Sequence, residues 1–558
     1  PFLTPAQRDQ ITNLILTYNT PPGLGTSVGQ PLSAAQLAAI ANGSFRVPFQ
    51  RFFLDLGSRD EASIRETYRG IVGLRGTFND DWTYEISANY GRVNERTTIL
   101  GNVDIARLLF ALDAGRDPNT GQIACRAQFD PAARIDVIGD AAKLAEDIAA
   151  CVPYNPFGRG ANGENELARQ YITRDTVSRA NLDQLVFSGF ISGDTSQWFE
   201  LPGGPVGFAI GAEYRRETLF YQADPFIEQG LSFYNALPTF EPDPFEVREA
   251  FAEIRLPILA NLPFAEQLSI TGAARVADYG GGAGTVWAYN VGAEWAPVRD
   301  IRFRANYGRS VRAPALTETS FPLTQNFAPG FQDPCRPTGL GQGSATRPAN
   351  CAADLGALLG GLPDIAFSLE IQSGSNPNLE AETSDSWTIG TVIQPRWIPG
   401  LSITVDYYDI TVNSVIGSVT AQNIVNQCYD LPSLDNQFCA LFERWRGPGT
   451  GPGQEDPGEI LDGSLLQIPL NFQALVRRGI DAEIAYRREI APETVLNARL
   501  IYTHNLQISN FTSPTDPDFE NRILGELGDP QDEFRLSVDL SHGPVTFGYR
   551  MRYIGRQV

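Results

Sequence analysis

The residues with the most reactive chemistry in this 558-residue chain are six cysteines and two histidines. His504 lies in Thr503-His504-Asn505, which reads as a strand end, and His542 lies in Ser541-His542-Gly543-Pro544, which reads as a turn. Neither has a nucleophile context. A triad is made by geometry and not by composition, so structural roles are expected for both. Gly280–Gly282 is followed by no helix and no lysine, which makes it a hairpin loop and not a phosphate cradle. Asp462, Asp516, Asp518 and Glu520 offer oxygen ligands of the kind calcium takes, but they match no EF-hand spacing and read as a solvated surface. No catalytic residue, metal site or cofactor is assigned.

The cysteines are more informative. There is no CxxC to suggest zinc. They fall instead into three local groups: Cys125 with Cys151, Cys335 with Cys351, and Cys428 with Cys439. Six cysteines allow about fifteen pairings, but each local pair lies within one long loop, and any other pairing would join loops separated by strands. Three loop-closing disulfides formed in an oxidising compartment are expected. The net charge of −22 and the pI near 4.6 exclude a nucleic-acid partner, which would want a basic face.

The elements that must hold these groups are strands. Trp82, Tyr84, Ile86, Ala88 and Tyr90 share one face, and Thr83, Glu85, Ser87, Asn89 and Gly91 the other. The preceding run puts Tyr68, Val72, Leu74 and Phe78 opposite Arg69, Arg75 and Thr77, with a turn at Asn79–Asp81. Pairing Phe78 with Trp82 sets Arg75 against Glu85 on the polar face. At Trp287–Ser310 the design recurs: pairing Trp295 with Ile301 across a turn at Ala296–Asp300 sets Glu294 against Arg302. Further hairpins read at Val206–Tyr214, Phe251–Val276, Trp387–Tyr407, Ile480–Tyr502 and Leu536–Tyr553, about fifteen strands in all.

Aromatics bracket the apolar stripes. The eight residue steps from Trp82 to Tyr90, at about 3.3 Å each and tilted about 40°, span roughly 20 Å. That is close to the lipid-facing band of an outer-membrane barrel, and it places Tyr84, Ile86, Val291 and Phe303 toward lipid. A soluble sandwich or propeller would bury its aromatics mid-strand. Mean hydropathy is −0.19, and no window supplies the roughly 20 apolar residues of a spanning helix. Connections alternate between short turns (Asn79–Asp81, Pro202–Pro205, Ala296–Asp300, Pro395–Gly400, Ser541–Pro544) and long loops (Val93–Thr173, Ala313–Thr383, Ile416–Asn471). The long loops hold all six cysteines and are expected outside the cell. Short helices are expected from Thr4-Pro5, over Ala34–Ala41 capped by Ser33, and over Asp140–Ala150.

Two stretches resemble a known family. Asn306–Glu318 (NYGRSVRAPALTE) is similar to the strand-to-loop segment R-x-S-x-R-A-P-x-L-x-E of TonB-dependent receptor barrels, and Asn376–Thr383 (NPNLEAET) to the re-entry N-P-x-L-x-x-E. Arg477–Tyr486 and Gly528–Leu540 resemble later strands, in the family's order. The resemblance implies an all-β fold: a transmembrane antiparallel barrel of the 22-stranded type, residues 1–558 being one barrel fragment. The N-terminal plug and first strands, and the last strands, are expected to lie outside this sequence. It implies a multi-pass protein of the Gram-negative outer membrane, amid lipid and lipopolysaccharide. It further implies a transporter and not an enzyme, binding a scarce nutrient at its outer loops and importing it with energy from TonB and ExbB-ExbD. A passive porin, or an adhesin or structural barrel, is the alternative. In the family, lumenal charges hold the plug. Arg75, Glu85, Glu294, Arg302, Arg304 and Arg312 have the lumenal phase and are the candidates for that contact or for a solvated channel wall, while Arg309 has the other phase. Glu380 and Glu382 could pair with such arginines or keep a loop edge soluble, and the second reading is preferred. The ligand stays open among ferric siderophore, cobalamin, oligosaccharide and peptide.

Overall fold

A computed structural model describes residues 1–18, 32–42, 45, 51–136, 139–158, 163–233, 236–512 and 519–558. Its framework is an antiparallel ladder of fourteen long strands: β1 Glu61–Phe78, β2 Trp82–Val103, β3 Thr173–Asp194, β4 Gly207–Gln222, β5 Phe245–Leu262, β6 Ala265–Asp278, β7 Thr285–Val298, β8 Ile301–Arg312, β9 Glu382–Ile393, β10 Leu401–Ser418, β11 Pro469–Ala491, β12 Thr494–Phe511, β13 Asp532–His542 and β14 Val545–Ile554. Each strand pairs with its sequence neighbours, and a two-residue strand, Asn521–Arg522, adds to β12 as a fifteenth. The hydrogen-bonded path has two ends, at β1 and β14.

Alternation gives the ladder two chemically distinct faces. Ile301, Ile393, Ile403, Ile484, Leu500, Leu536 and Met551 stand directly opposite one another across seven strands, an unbroken aliphatic row. On the other face Glu294, Arg304, Gly390, Asp406, Asp481, Thr503 and Glu533 form a polar row. The apolar face stays open: Ile86, Val291, Trp387 and Ile389 are all more than half exposed. Apolar surface on this scale calls for a non-aqueous solvent. Aromatics collect at both ends of that face. Trp82 meets Phe78, Trp198 and Phe208 at 5.5, 5.3 and 4.9 Å near the short turns. Toward the loops, Tyr307 meets Trp387 at 4.7 Å and Phe534 meets Tyr553 at 5.1 Å. Among the described residues no helix is long and apolar enough to cross a membrane.

Turn chemistry fixes the registers, and here one expectation is corrected. Asn79 and Asp80 both take positive φ, the pair a tight two-residue hairpin needs. Between β7 and β8, however, only Arg299 and Asp300 lie outside the strands, and an irregularity follows Trp295. Trp295 therefore faces Phe303 and not Ile301, and Glu294 faces Arg304 and not Arg302. The shift is of two residues, so no side chain changes face. Other boundaries also move. β2 runs on to Val103, so the first long loop starts at Asp104. The third long connection runs from residue 419 to 468, and Pro202–Pro205 lies inside a small hairpin of Glu200–Leu201 with Gly204–Pro205.

The contacts resolve two compact units: Pro1–Glu66, Val93–Asn181 and Phe220–Glu241 form one, and Thr67–Arg92, Leu182–Leu219 and Pro242–Val558 the other. The first contains the expected helices Pro5–Tyr18, Ala34–Ala41 (with a Ser33–Gln36 capping box) and Ala141–Ala149 (capped by Asp140). Its core gathers Phe110, Ile148, Tyr154, Tyr171 and Ile172 around the Cys125–Cys151 disulfide. In the second unit the connections 313–381 and 419–468 share one apolar core, with Phe331, Leu369, Ile371, Ile424, Tyr429 and Leu465 among its members. A three-stranded sheet of Thr324–Phe331, Phe367–Ser373 and Leu465–Gln467 frames it.

Candidate functional site

The polar face of the ladder is a field of arginines, and most are held sideways by carboxylates on neighbouring strands. Arg304 places Nε and Nη2 at 2.8 and 2.5 Å from the two oxygens of Asp406. It reaches over β9 because the residue between them in register is Gly390. A Cβ there would fall 1.9 Å from Asp406 Oδ1. Arg302 lies 3.8 Å from Glu294, a diagonal contact that survives the corrected register. Arg275 forks onto Glu249 and Arg499 onto Glu483 at 2.8 and 2.9 Å, while the Arg478–Asp409 pair, at 2.9 Å, has the opposite phase, that of Trp387. Arg75 is exposed on β1; among the described residues no ion pair joins it to Glu85, and the ion pair β1 makes with β2 is Arg65–Glu95 at 2.8 Å. Arg309 pairs in register with Tyr289 and Asp385, away from the polar row.

At the loop end of this face the two motif stretches meet. Arg312 Nη1 is 3.1 Å from Glu318 Oε2, and its Nη2 is 2.6 Å from Glu382 Oε1. Glu318 also accepts the Ala315 N–H at 2.7 Å, and Glu382 the Ile416 N–H at 2.8 Å. Glu382 is buried, so reading it as a soluble loop edge is corrected: a charge out of water needs a partner, and Arg312 is that partner. Beside it, the Asn376 N–H donates to the Glu318 carbonyl at 2.9 Å and its carboxamide to the Pro469 carbonyl at 3.0 Å. The Asn471 carboxamide accepts from the Glu380 N–H at 2.9 Å and donates to the carbonyls of Glu380 and Ser414 at 3.0 and 2.8 Å.

Above this brace the paired loops form a cap. Cys335–Cys351 and Cys428–Cys439 are both disulfides, and with Cys125–Cys151 they leave no free cysteine among the described residues. The centre of the cap is Arg444, whose side chain is 1% exposed. It forks onto Asp333 at 2.7 and 3.1 Å, donates to the Tyr429 hydroxyl at 2.7 Å, and reaches the Gly458 carbonyl at 2.7 Å. Burial pushes the Tyr429 hydroxyl pKa up. For Arg444 burial opposes the charge, but Asp333 and Tyr429 outweigh it and raise the pKa. A cavity of about 470 Å³ opens beside this group, lined by Asp354, Leu434, Phe442, Glu443 and Arg446.

The remaining candidates play local roles. His504 Nδ1 lies 2.8 Å from Asp532, and His542 Nδ1 2.8 Å from the Thr494 hydroxyl. Gly280 and Gly281 take positive φ in the β6–β7 connection, as a hairpin loop requires. Glu520 accepts from Gln507 and Ser509, and Asp516 and Asp518 lie outside the described residues. No group of three or more His, Cys, Asp or Glu side chains among the described residues could hold a metal ion. Sequence reasoning does not single out Asp406, Asp333, Arg444 or Asn471. Only Asp406 carries a signal, its polar phase in a strand of alternating residues.

No curated protein matches the chain. Solved structures align with it at low identity. The siderophore receptor PirA from Acinetobacter baumannii aligns with 88% of this chain and 52% of its own at 11% identity and TM-score 0.44. A point mutant of the ferric enterobactin receptor PfeA from Pseudomonas aeruginosa aligns with 89% and 49% at 12% identity and TM-score 0.46. The RagAB peptide transporter aligns with 89% and 48% at 11% identity and TM-score 0.45. This chain thus spans about half the length of those structures. The family model described as "TonB dependent receptor-like, beta-barrel" matches residues 4–558, and the chain belongs to that family.

Proposed function

We propose that this chain is the barrel part of an active importer in the Gram-negative outer membrane. The loops capture a dilute nutrient, a plug domain elsewhere in the protein closes the channel, and TonB with ExbB-ExbD supplies the energy for passage into the periplasm. The polar face lines the channel and the open apolar face meets lipid, since a bilayer leaves no other solvent for it. Arg75, Glu85, Glu294, Arg302, Arg304 and Arg312 belong to the channel wall in this reading, with Arg75 the best placed for a plug carboxylate because among the described residues no ion pair joins it to a lateral acid. No bond in the ligand need change.

The observation that carries the reading is the combination of a family match over residues 4–558 with a cap that has its own core and two disulfides. A passive pore works without such a cap, whereas capture of a scarce solute needs a surface ordered before binding. The test is growth of a deletion strain, with and without the restored gene, on a panel of scarce nutrients as sole iron, cobalt-corrinoid, sugar or peptide source. Rescue on one nutrient that disappears when tonB is also deleted supports import. Rescue that survives tonB deletion identifies a passive pore and overturns the proposal.

A further inference from the structure

The stems of both cap loops come together at the polar brace, and beside it the apolar core of the cap runs on to Leu470 and Phe472 at the start of β11. Four chain segments enter the brace: the exit from β8 through Arg312, Ala315 and Glu318, the return to β9 through Asn376 and Glu382, the end of β10 at Ser414 and Ile416, and the start of β11 at Pro469 and Asn471. Above it, the two loops of the cap are bound to each other. Arg444 from the second loop forks onto Asp333 of the first. Arg347 of the first forks onto Asp430 of the second, and the Asn350 carboxamide donates to the carbonyls of Tyr429 and Leu431. The strands Phe367–Ser373 and Leu465–Gln467 pair in parallel across the two loops. Both disulfides close within a single loop, so neither crosses to the wall.

We infer that residues 324–373 and 421–467 are one rigid ligand-bearing body, and that Arg312 and Asn471 are the positioning residues that set its attitude on the wall. A body with its own packed core moves as a unit, because interiors resist continuous deformation. Arg312 is a single guanidinium shared between Glu318 on the outgoing stem and Glu382 on the returning one, so its loss frees both stems at once. Asn471, at the start of β11, ties that stem to the β9 return at Glu380 and to the end of β10 at Ser414. The consequence for uptake rests on the importer reading, but the mechanical claim does not.

The test uses the full-length receptor in lipid nanodiscs, with spin labels on introduced cysteines and the three native disulfides intact. One pair, at Ala353 and Ile389, measures cap against wall; a second, at Ala353 and Gln437, measures the inside of the cap. In the R312Q/N471S variant the cap-to-wall distance distribution should shift or broaden beyond the wild-type width while the internal one stays unchanged. The charge swap R312E/E382R should bring the cap-to-wall distribution back toward wild type relative to R312E alone. If both distributions broaden together, the cap is not one body; if neither changes, the brace does not set its attitude. Either result overturns the inference. Should R312Q/N471S fail to insert, R312K, which keeps the charge but not the fork, gives the same reading: a cap-to-wall change alone supports the inference, and no change sinks it. Because no step depends on transport, a failure here is distinguishable from failure of the importer reading.

Discussion

Replacing Arg444 with methionine removes the cation paired with Asp333 and leaves that carboxylate, 5% exposed as a residue, without it. Asp333 still accepts the Cys335 N–H at 2.9 Å, and the Tyr429 hydroxyl still donates to Asp354 at 2.7 Å, so neither group loses all its partners. Removing one partner of a buried pair costs about 3–5 kcal/mol. At about 1.4 kcal/mol per tenfold, this should raise opening of the cap by roughly a hundred- to several-thousand-fold. The wall should be untouched, because every one of these contacts lies within the loops. Hydrogen exchange on the full-length protein reads this directly: amides of Ala421–Asp430 and Phe367–Ser373 should exchange faster, while those of β12 and β13 keep their protection. The R444M/D333L double variant should recover most of the loss, since removing both partners leaves no orphaned charge. If the double variant exchanges as fast as the single one, the penalty comes from lost packing and not from the uncompensated carboxylate, and the electrostatic reasoning is wrong.

Three further outcomes are expected. G390A should lower the thermal midpoint of the heat-modifiable gel shift by an amount equivalent to about 1–3 kcal/mol, because the new methyl overlaps Asp406 Oδ1 and breaks the Arg304 fork; an unchanged midpoint would contradict the crossing of Arg304 over β9. Non-reducing peptide mapping should join Cys125 to Cys151, Cys335 to Cys351 and Cys428 to Cys439, and C125S/C151S should speed proteolysis within 104–172 by removing about 2–4 kcal/mol of local constraint. A Cys125–Cys335 peptide, or free thiols, would refute the first half. For Asp104, burial raises the pKa despite the Arg107 N–H it caps, and its Oδ2 has no hydrogen-bond donor. The native state therefore holds this proton more tightly than the unfolded one, so its ionised form costs stability above the folded pKa, and that cost vanishes as pH falls through it. D104N, which can still cap the helix, should protect the Ile105–Leu112 amides better than wild type at pH 8, by about 1 kcal/mol, with the gap closing in acid; a less protected variant at pH 8 would reverse the sign of the argument.

The wall is readable in the sequence because its signal is local. A period of two, aromatics at the stripe ends and turn residues such as Asn79-Asp80 each need only a dozen neighbouring positions, and they place Tyr84, Ile86, Val291 and Phe303 with the apolar phase. The cysteine pairs are readable for the same reason, lying 26, 16 and 11 residues apart. The cap is not. Its core draws Phe331, Ile371, Ile424 and Leu465 from two loops with no common period, and a buried arginine such as Arg444 looks in sequence like any solvated one. Arg304 and Asp406 are 102 residues apart, and they meet only because a glycine occupies the strand between them.

The β7–β8 hairpin shows which sequence inferences are durable. Its connection reads in sequence as Ala296–Asp300 and is in fact only Arg299 and Asp300, so every opposite-residue pairing expected across it is displaced by two positions. The faces survive, because a shift by an even number returns each side chain to the same side of the sheet. Arguments that depend on parity, such as which arginines point to the polar face, therefore withstand an error that destroys arguments about partners. That distinction reorders the candidates for plug contact. Arg302, Arg304 and Arg312 have the right parity, but each already faces a carboxylate at 3.8, 2.5 and 2.6 Å, and Asp406 and Glu382 lie out of full solvent. A plug carboxylate arriving at Arg304 or Arg312 would have to displace that acid or share the guanidinium with it. Sharing crowds two like charges, and displacement leaves a part-buried carboxylate alone. Among the described residues no ion pair engages Arg75. Its R75A variant is accordingly the one among the four expected to loosen a plug without disturbing the wall, and normal gating in R75A alongside altered gating in R304A would show that lateral pairing does not decide which arginines are available.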